Sequence, residues 1–345
     1  MKKILIIQTA FLGDVILTTP VIRVMKKAYP NSRIDVLLTP QCAEILGGME
    51  EIHEVMAYDK RGKEKGVRGF LFQVRRIRER TYDICLAPHR SARTALLAFF
   101  SGAPVRICFD TAALGFLYTH RVPRPTSVHE IDRNLGLLSA LGITLNGTDR
   151  SPVLPVDPRS REEADHLFRE AGIRDNELLI GVGPGSVWGT KRWLPEGYAE
   201  VCDSLEKTLG AKVILLGGID DVEVGERIMA RSRGNHRNFV GRTTLKQAVG
   251  IMKHCRLYIG NDSALLHVAS ALQIPTVGIF GPTVPGQGFA PYGQRTVVVE
   301  KKEVTCRPCG AHGPMECPEG HFKCMAEISS QEVLEAAERL LVGTA

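Results

Sequence analysis

The chain has 345 residues, 44% of them hydrophobic and 24% charged, with a formal net charge of +6. This is the composition of a soluble globular protein long enough for two domains of ordinary size. No apolar run reaches the length of a membrane span, and the short apolar stretch after Met1-Lys2-Lys3 lacks a small-residue cleavage site, so it reads as a first strand of a cytoplasmic protein.

Short β-rich runs alternate with amphipathic helices along the chain, the pattern of parallel sheets flanked by helices. The pattern predicts strands at 3–8, 33–38, 54–58, 82–87 and 105–109, and helices at 20–28, 67–80, 92–100 and 131–141. Around residues 146–158 the composition shifts to Gly, Asp and Pro, which marks a linker. Beyond it the expectation is a helix over 160–171, a strand over 178–183, a helix from Pro195, a strand over 212–216 and a helix from about Asp221. A helix over 245–254, a strand ending at Gly260, a capped helix, a buried strand over 275–280 and a final helix over 331–341 complete the chain. The fold class is therefore α/β, with two Rossmann-like doubly wound domains, residues 1–155 and 156–345. Ligands of such sheets bind at the carboxyl ends of the strands.

Charge is divided unevenly between the halves. Residues 1–150 carry 22 Lys and Arg against 14 Asp and Glu, whereas the remainder carries 22 against 24. Between Lys60 and Arg80 there are nine basic residues, opposed only by Glu64 and Glu79. A run of this kind is either a solvated helix face or a surface for an anionic partner such as a membrane, an acidic glycolipid or a nucleic acid.

Three loops at strand ends can carry chemistry. The first, Thr9-Ala10-Phe11-Leu12-Gly13-Asp14, places a carboxylate behind a glycine. It lacks the dinucleotide and P-loop glycine patterns. Asp14 can take a proton from a hydroxyl nucleophile, or merely cap a helical turn. The second runs from Gly183 to Trp193 and offers Ser186, Thr190 and Lys191 beside glycines that permit close ligand approach. In the third, Asp262 and Ser263 stand where a helix N-cap belongs, with His267 one turn on and Thr283 in the next strand-end turn. A helix N-terminus suits a diphosphate.

These residues, in order along nearly the whole chain, resemble a known family. Gly13-Asp14 with Thr18-Thr19-Pro20, the run Trp188-Gly189-Thr190-Lys191-Arg192-Trp193-Leu194-Pro195, and Gly260-Asn261-Asp262-Ser263 with His267 and Gly281-Pro282-Thr283 are similar to the ADP-heptose:lipopolysaccharide heptosyltransferases, most of all the heptosyltransferase II branch. The resemblance implies a GT-B glycosyltransferase whose two domains face a cleft. It implies inverting transfer of L-glycero-D-manno-heptose from ADP-heptose to the heptosylated inner core of lipopolysaccharide, a Kdo- and heptose-bearing lipid A. Asp14 matches the family's proposed base and Lys191 the lysine at the leaving diphosphate. Asp262, Ser263, His267, Ser186, Thr190 and Thr283 match donor contacts, and Glu223 matches loosely a residue that holds the ribose. The acceptor's anionic groups give the basic first domain a purpose, with Arg61, Lys63, Arg90, Arg93, Arg121 and Arg124 as acceptor contacts at the inner face of the cytoplasmic membrane of a Gram-negative bacterium.

No acidic pair of the metal-binding kind lies near the loops, so turnover without a metal cofactor is expected. Four of the nine cysteines crowd into Cys306, Cys309, Cys317 and Cys324. A structural zinc site, redox-labile pairing and inert thiols all remain open there. Another heptosyl step (I or III), or another nucleotide sugar on the same fold, is the alternative enzyme reading. A nucleic-acid- or membrane-binding protein built on the basic Lys60–Arg80 stretch is the alternative from a different class. It is disfavoured because no RNA-binding signature is present and aromatics are only 6% of the chain.

Overall fold

Two parallel sheets of six strands each arise from the alternation of apolar runs and amphipathic helices. The computed structural model describes residues 1–174 and 176–342, in two units divided between Pro155 and Val156. The predicted second domain's last residues, 343–345, lie outside the described part.

In the first unit β1 (Lys3–Ile7) leads into α1 (Leu12–Ile16) and α2 (Thr19–Ala28). There follow β2 (Arg33–Leu38), α3 (Pro40–Leu46), β3 (Glu54–Ala57), α4 (Gly66–Arg78), β4 (Ile84–Ala87) and α5 (Ala92–Phe100). The unit closes with β5 (Val105–Phe109), β6 (His120–Val122) and α6 (Glu130–Gly136). The strands pair in parallel in the order β3-β2-β1-β4-β5-β6, the dinucleotide-fold order, whose direction reverses between β1 and β4. Central strands such as Ile4-Leu5-Ile6-Ile7 are wholly buried because helices cover both faces. Pro20 at the start of α2 costs no hydrogen bond, since the first helical N–H groups have no intrahelical partner.

The second unit repeats the plan. Its elements are α7 (Pro158–Glu170), β7 (Leu179–Gly183), α8 (Pro195–Leu209), β8 (Lys212–Leu215), α9 (Val222–Arg231), β9 (Arg237–Asn238) and α10 (Leu245–His254). Then come β10 (Leu257–Asn261), α11 (Ala264–Ala271), β11 (Thr276–Phe280), β12 (Thr296–Glu300), α12 (Lys323–Ala326) and α13 (Ser330–Val342). The order β12-β11-β10-β7-β8-β9 has the same topology, with the reversal between β7 and β10. Its core joins these strands to α8 and α13 through Trp193, Tyr198, Leu205, Val333 and Ala337.

The structure corrects the sequence reading in several elements. The helix expected over 131–141 is α6 up to Gly136, then a tighter 3₁₀ turn through Leu141 that stops at Gly142 with φ +69°. The positive φ is one that glycine adopts without a Cβ penalty. The Leu12–Ile16 segment, read as loop, is the helix α1, and α3, β6, β9, β12 and α12 were not expected at all. β9 has two residues and β6 three, too short to show a period of two.

Candidate active site

In each unit the loops with chemistry lie at the reversal of strand order. In the first unit the loop after β1 meets the loop after β4, where Thr9 Oγ1 is 3.2 Å from His89 Nδ1. Lys60, reaching in from the loop after β3, donates from Nζ to the Thr9 carbonyl at 2.5 Å. Arg93, in the first turn of α5, donates to the Lys60 carbonyl at 3.4 Å and to the Tyr58 hydroxyl at 3.3 Å.

Asp14 sits in α1, three residues beyond the N-cap Phe11, and its carboxylate accepts from the backbone N–H groups of Phe11 and of Asp14 itself. Asp14 thus supports the start of its own helix. Its pKa is raised to about 6, first by burial and then by the Glu130 carboxylate, against the pull of those N–H donors and Arg124. Glu130 opens α6 and accepts from Arg124 at 2.6 Å and from the buried Arg133 at 2.9 Å. The Arg124 guanidinium lies over the Phe109 ring at 5.6 Å. Burial, with Lys60 and Arg90 beside it, pushes His89 down to about 4, so this imidazole is neutral at physiological pH.

Of the predicted acceptor residues, four gather around this loop system. Arg61 lies over the Phe11 ring at 5.8 Å, Arg93 grips Lys60, Arg124 holds Glu130, and the Arg90 charge acts on both His89 and Arg124. The other two are placed differently. Lys63 is exposed in the turn before α4, and Arg121 is exposed on β6 opposite Cys108. Lys60, His89 and Glu130 were missed by the sequence reading. Glu130 had a weak signal, an acid beside Asp132 among Arg121, Arg124 and Arg133, but its proximity to Asp14 had none.

In the second unit the loop after β7 meets the loop after β10. Lys191 Nζ donates to Asp262 Oδ2 at 2.6 Å, and Thr283 Oγ1 donates to the same oxygen at 2.7 Å. Both partners of the ion pair are almost wholly buried. The carboxylate leaves Lys191 two further N–H donors to offer a ligand. Beneath them, fully buried Asn261 accepts from Trp193 N at 3.1 Å and Tyr198 Oη at 2.8 Å, and donates to the Pro184 carbonyl at 2.7 Å. One side chain therefore locks the loops after β7 and β10 together. Ser263 is the N-cap residue of α11, but its hydroxyl makes no capping bond, and Asp262 spends its carboxylate on Lys191 and Thr283 instead. His267 is buried one turn into α11, and Ser186, also buried, accepts from Trp188 N at 3.3 Å.

Two residues expected on the donor side have other surroundings. The Thr190 hydroxyl is already donated to the Pro314 carbonyl, at 2.5 Å. Glu223 is exposed on the first turn of α9, while Asp221 is the acid beside this loop, accepting from Gly218 N at 3.0 Å and pairing with Arg192 at 3.7 Å.

The cysteine-rich segment straps these loops. Arg307, 2% exposed in its side chain, donates to the carbonyls of Gly281, Phe280 and Thr283 and pairs with Glu300 at 2.9 Å. Cys309 N donates to the Pro282 carbonyl at 2.8 Å, and His312 stacks on Trp188 with centroids 5.8 Å apart. Cys306 Sγ is 3.9 Å from His321 Nε2, yet among the described residues no three His, Cys, Asp or Glu side chains gather as metal ligands.

Known proteins share this plan. The sequence profile of glycosyltransferase family 9 (heptosyltransferase) matches residues 72–320. The chain belongs to that family. The lipopolysaccharide heptosyltransferase 2 of Escherichia coli K12 is 30% identical, over 99% of both chains. Among solved structures, a family 9 glycosyl transferase from Veillonella parvula superposes with a TM-score of 0.89 at 27% identity, covering 99% of this chain and 98% of that one. The E. coli ADP-heptose lps heptosyltransferase II superposes with a TM-score of 0.80 at 26% identity, covering 99% of each. As a member of this heptosyltransferase family the protein is a glycosyltransferase, of α/β GT-B architecture. Among the described residues no helix is long and apolar enough to cross a membrane.

Proposed function

We propose that this glycosyltransferase moves L-glycero-D-manno-heptose from ADP-heptose to the singly heptosylated inner core of lipopolysaccharide, with inversion and without a metal ion. The observation that carries the reading is the division of chemistry between the two switch points. The first unit holds a carboxylate whose pKa is near neutral, and the second a buried lysine and a helix N-terminus suited to a diphosphate.

Asp14 takes the proton of the attacking acceptor hydroxyl, whose oxygen forms the new bond to the anomeric carbon. The bond from that carbon to the diphosphate oxygen breaks, and ADP leaves with its electron pair. A base with a pKa of about 6 is ionised at pH 7 and basic enough to share the proton at the transition state. Lys191, held in place by Asp262, and the N–H groups that open α11 stabilise the charge growing on ADP. That is the task a divalent cation performs elsewhere, so the reading needs none. Arg61, Arg90, Arg93 and Arg124, with Lys63 and Arg121 further out, meet the carboxylates and phosphates of the acceptor. Ser186, Ser263, His267 and Thr283 complete the donor side.

Turnover of ADP-heptose with inner-core acceptors bearing no, one or two heptoses tests the proposal, in the presence and absence of a chelator. The expected result is transfer to the one-heptose acceptor alone, unaffected by chelation, and absent in Asp14→Asn while ADP still binds. Transfer to another acceptor would move the enzyme to another heptosyl step, and loss on chelation restored by magnesium would remove the metal-free mechanism.

A further inference from the structure

Beside the acceptor loops, the first unit exposes apolar surface that its own core does not explain. On α4, Val67 is 73% exposed, Leu71 57% and Phe72 57%, while Gln73 and Ile77 on the opposite side are buried. The surface continues onto α5, because Phe70 meets Phe100 edge-on at 6.4 Å and Phe100 meets Phe99 at 5.3 Å. Phe99 is 43% exposed, and Phe116, in the turn that follows β5, is 77% exposed. Apolar side chains gathered in this way mark an interaction site.

The charge around them selects the partner. Lys65, Arg68 and Arg78 are exposed on or beside α4 and have no acid partner among the described residues. Arg106 lies over the Phe99 ring at 5.8 Å. The nearby acids are occupied, Glu79 by Arg75 at 2.8 Å, Glu54 by Arg76 and Arg80, and Glu64 by Gln73. A helix with aromatic and aliphatic side chains amid unpaired cations has the chemistry of a helix that lies in the interface of an anionic bilayer.

We propose that the exposed face of α4, with Phe99 and Phe116, docks the enzyme on an anionic membrane surface. The inference rests on the proposed reaction for its purpose, since it names how a lipid-anchored acceptor reaches the loops of this unit. Helix α5 links the two places. Arg93 in its first turn belongs to the acceptor loops and Phe99 near its end to the docking face, about 9 Å further along the axis at 1.5 Å per residue. The lipid end of the acceptor stays in the bilayer while its sugar end meets Asp14.

The test is co-sedimentation of the full-length protein with vesicles of phosphatidylcholine alone and of phosphatidylcholine with phosphatidylglycerol. Turnover is followed in parallel on bilayer-embedded acceptor and on acceptor freed of its acyl chains. Wild type is expected to bind only the phosphatidylglycerol vesicles and to be released by salt. Leu71→Glu/Phe72→Glu and Arg68→Glu/Arg78→Glu are each expected to lower that binding by about tenfold or more. Both variants should lose turnover on the embedded acceptor and keep it on the soluble one. All four positions are exposed, so the fold is kept, as the thermal midpoint will show. Wild type left in the supernatant, or binding unchanged by both variants, overturns the docking face. A dimer split by Leu71→Glu/Phe72→Glu with vesicle binding unchanged assigns the face to a second copy and also overturns it. Vesicle binding that behaves as expected in a protein inactive on every heptose acceptor supports the face and sinks the transfer reading alone.

Discussion

The two units share a strand order and place their loops at the same topological point, yet the electrostatics there are opposite in kind. In the first unit the central group is a carboxylate held at the edge of ionisation, with a second carboxylate, Glu130, next to it. In the second the central charges are already paired, Lys191 on Asp262, over a fully satisfied Asn261. The fold supplies a crevice, and the side chains decide whether it moves a proton or holds a fixed charge. The first arrangement carries strain in its charge state, while the second is organised around a charge that is already paired.

The comparison can be broken most sharply at Asp14. Asp14→Asn should lower turnover by about 10³-fold or more with donor affinity kept, as steady-state rates and calorimetric titration of ADP will show. The same variant should be more stable than wild type at pH 7.5, by roughly 3 kcal/mol. The sign follows from the raised pKa, because folding favours the protonated acid and ionised Asp14 costs stability above about pH 6. Denaturant titration across pH checks this, since the gain should fade as pH drops from about 6 towards 4.

The second unit should respond in the reverse sense. Lys191→Met leaves the Asp262 carboxylate buried without its cation, which costs about 3–5 kcal/mol and abolishes donor binding. Adding Asp262→Asn should return most of the stability but none of the binding. If the double variant binds ADP-heptose normally, Lys191 is only structural.

Subtler changes sharpen the contrast. The acid limb of the kcat/KM profile should fall as pH drops through about 6, because only ionised Asp14 accepts a proton. Glu130→Gln removes a charge that raises the Asp14 pKa, so the limb should move to lower pH, whereas an unmoved limb would separate the two carboxylates. The smallest effect is expected from Arg307→Lys, which retains the charge but loses the planar fork that holds three carbonyls of the Phe280–Thr283 segment. It should raise the KM for ADP-heptose severalfold with kcat little changed.

Much of this was legible from residue order. Alternating apolar runs located the central strands, and the strand-end rule pointed to Asp14, Lys191 and Asp262. Edge strands were harder. β12, Thr296-Val297-Val298-Val299-Glu300, has the β-branched run of a strand and was simply passed over, whereas β9 has no pattern to read. The surroundings of Thr190 and Glu223 were not legible, because polar residues in a loop resemble one another until their partners are known. The first donates to the Pro314 carbonyl, and the second is exposed on α9.

The sequence by itself determined the two α/β repeats, their apolar cores and the family, because these depend on periodicity and on motifs that are local in the chain. Only the tertiary structure decided that Glu130 stands beside Asp14, that Lys191 is paired with Asp262, and that Arg307 and Pro314 strap the loops after β11 and β7. These pairings are long-range. A pKa or an ion pair depends on distance and burial, and those exist only once the sheet has brought separate loops to one edge.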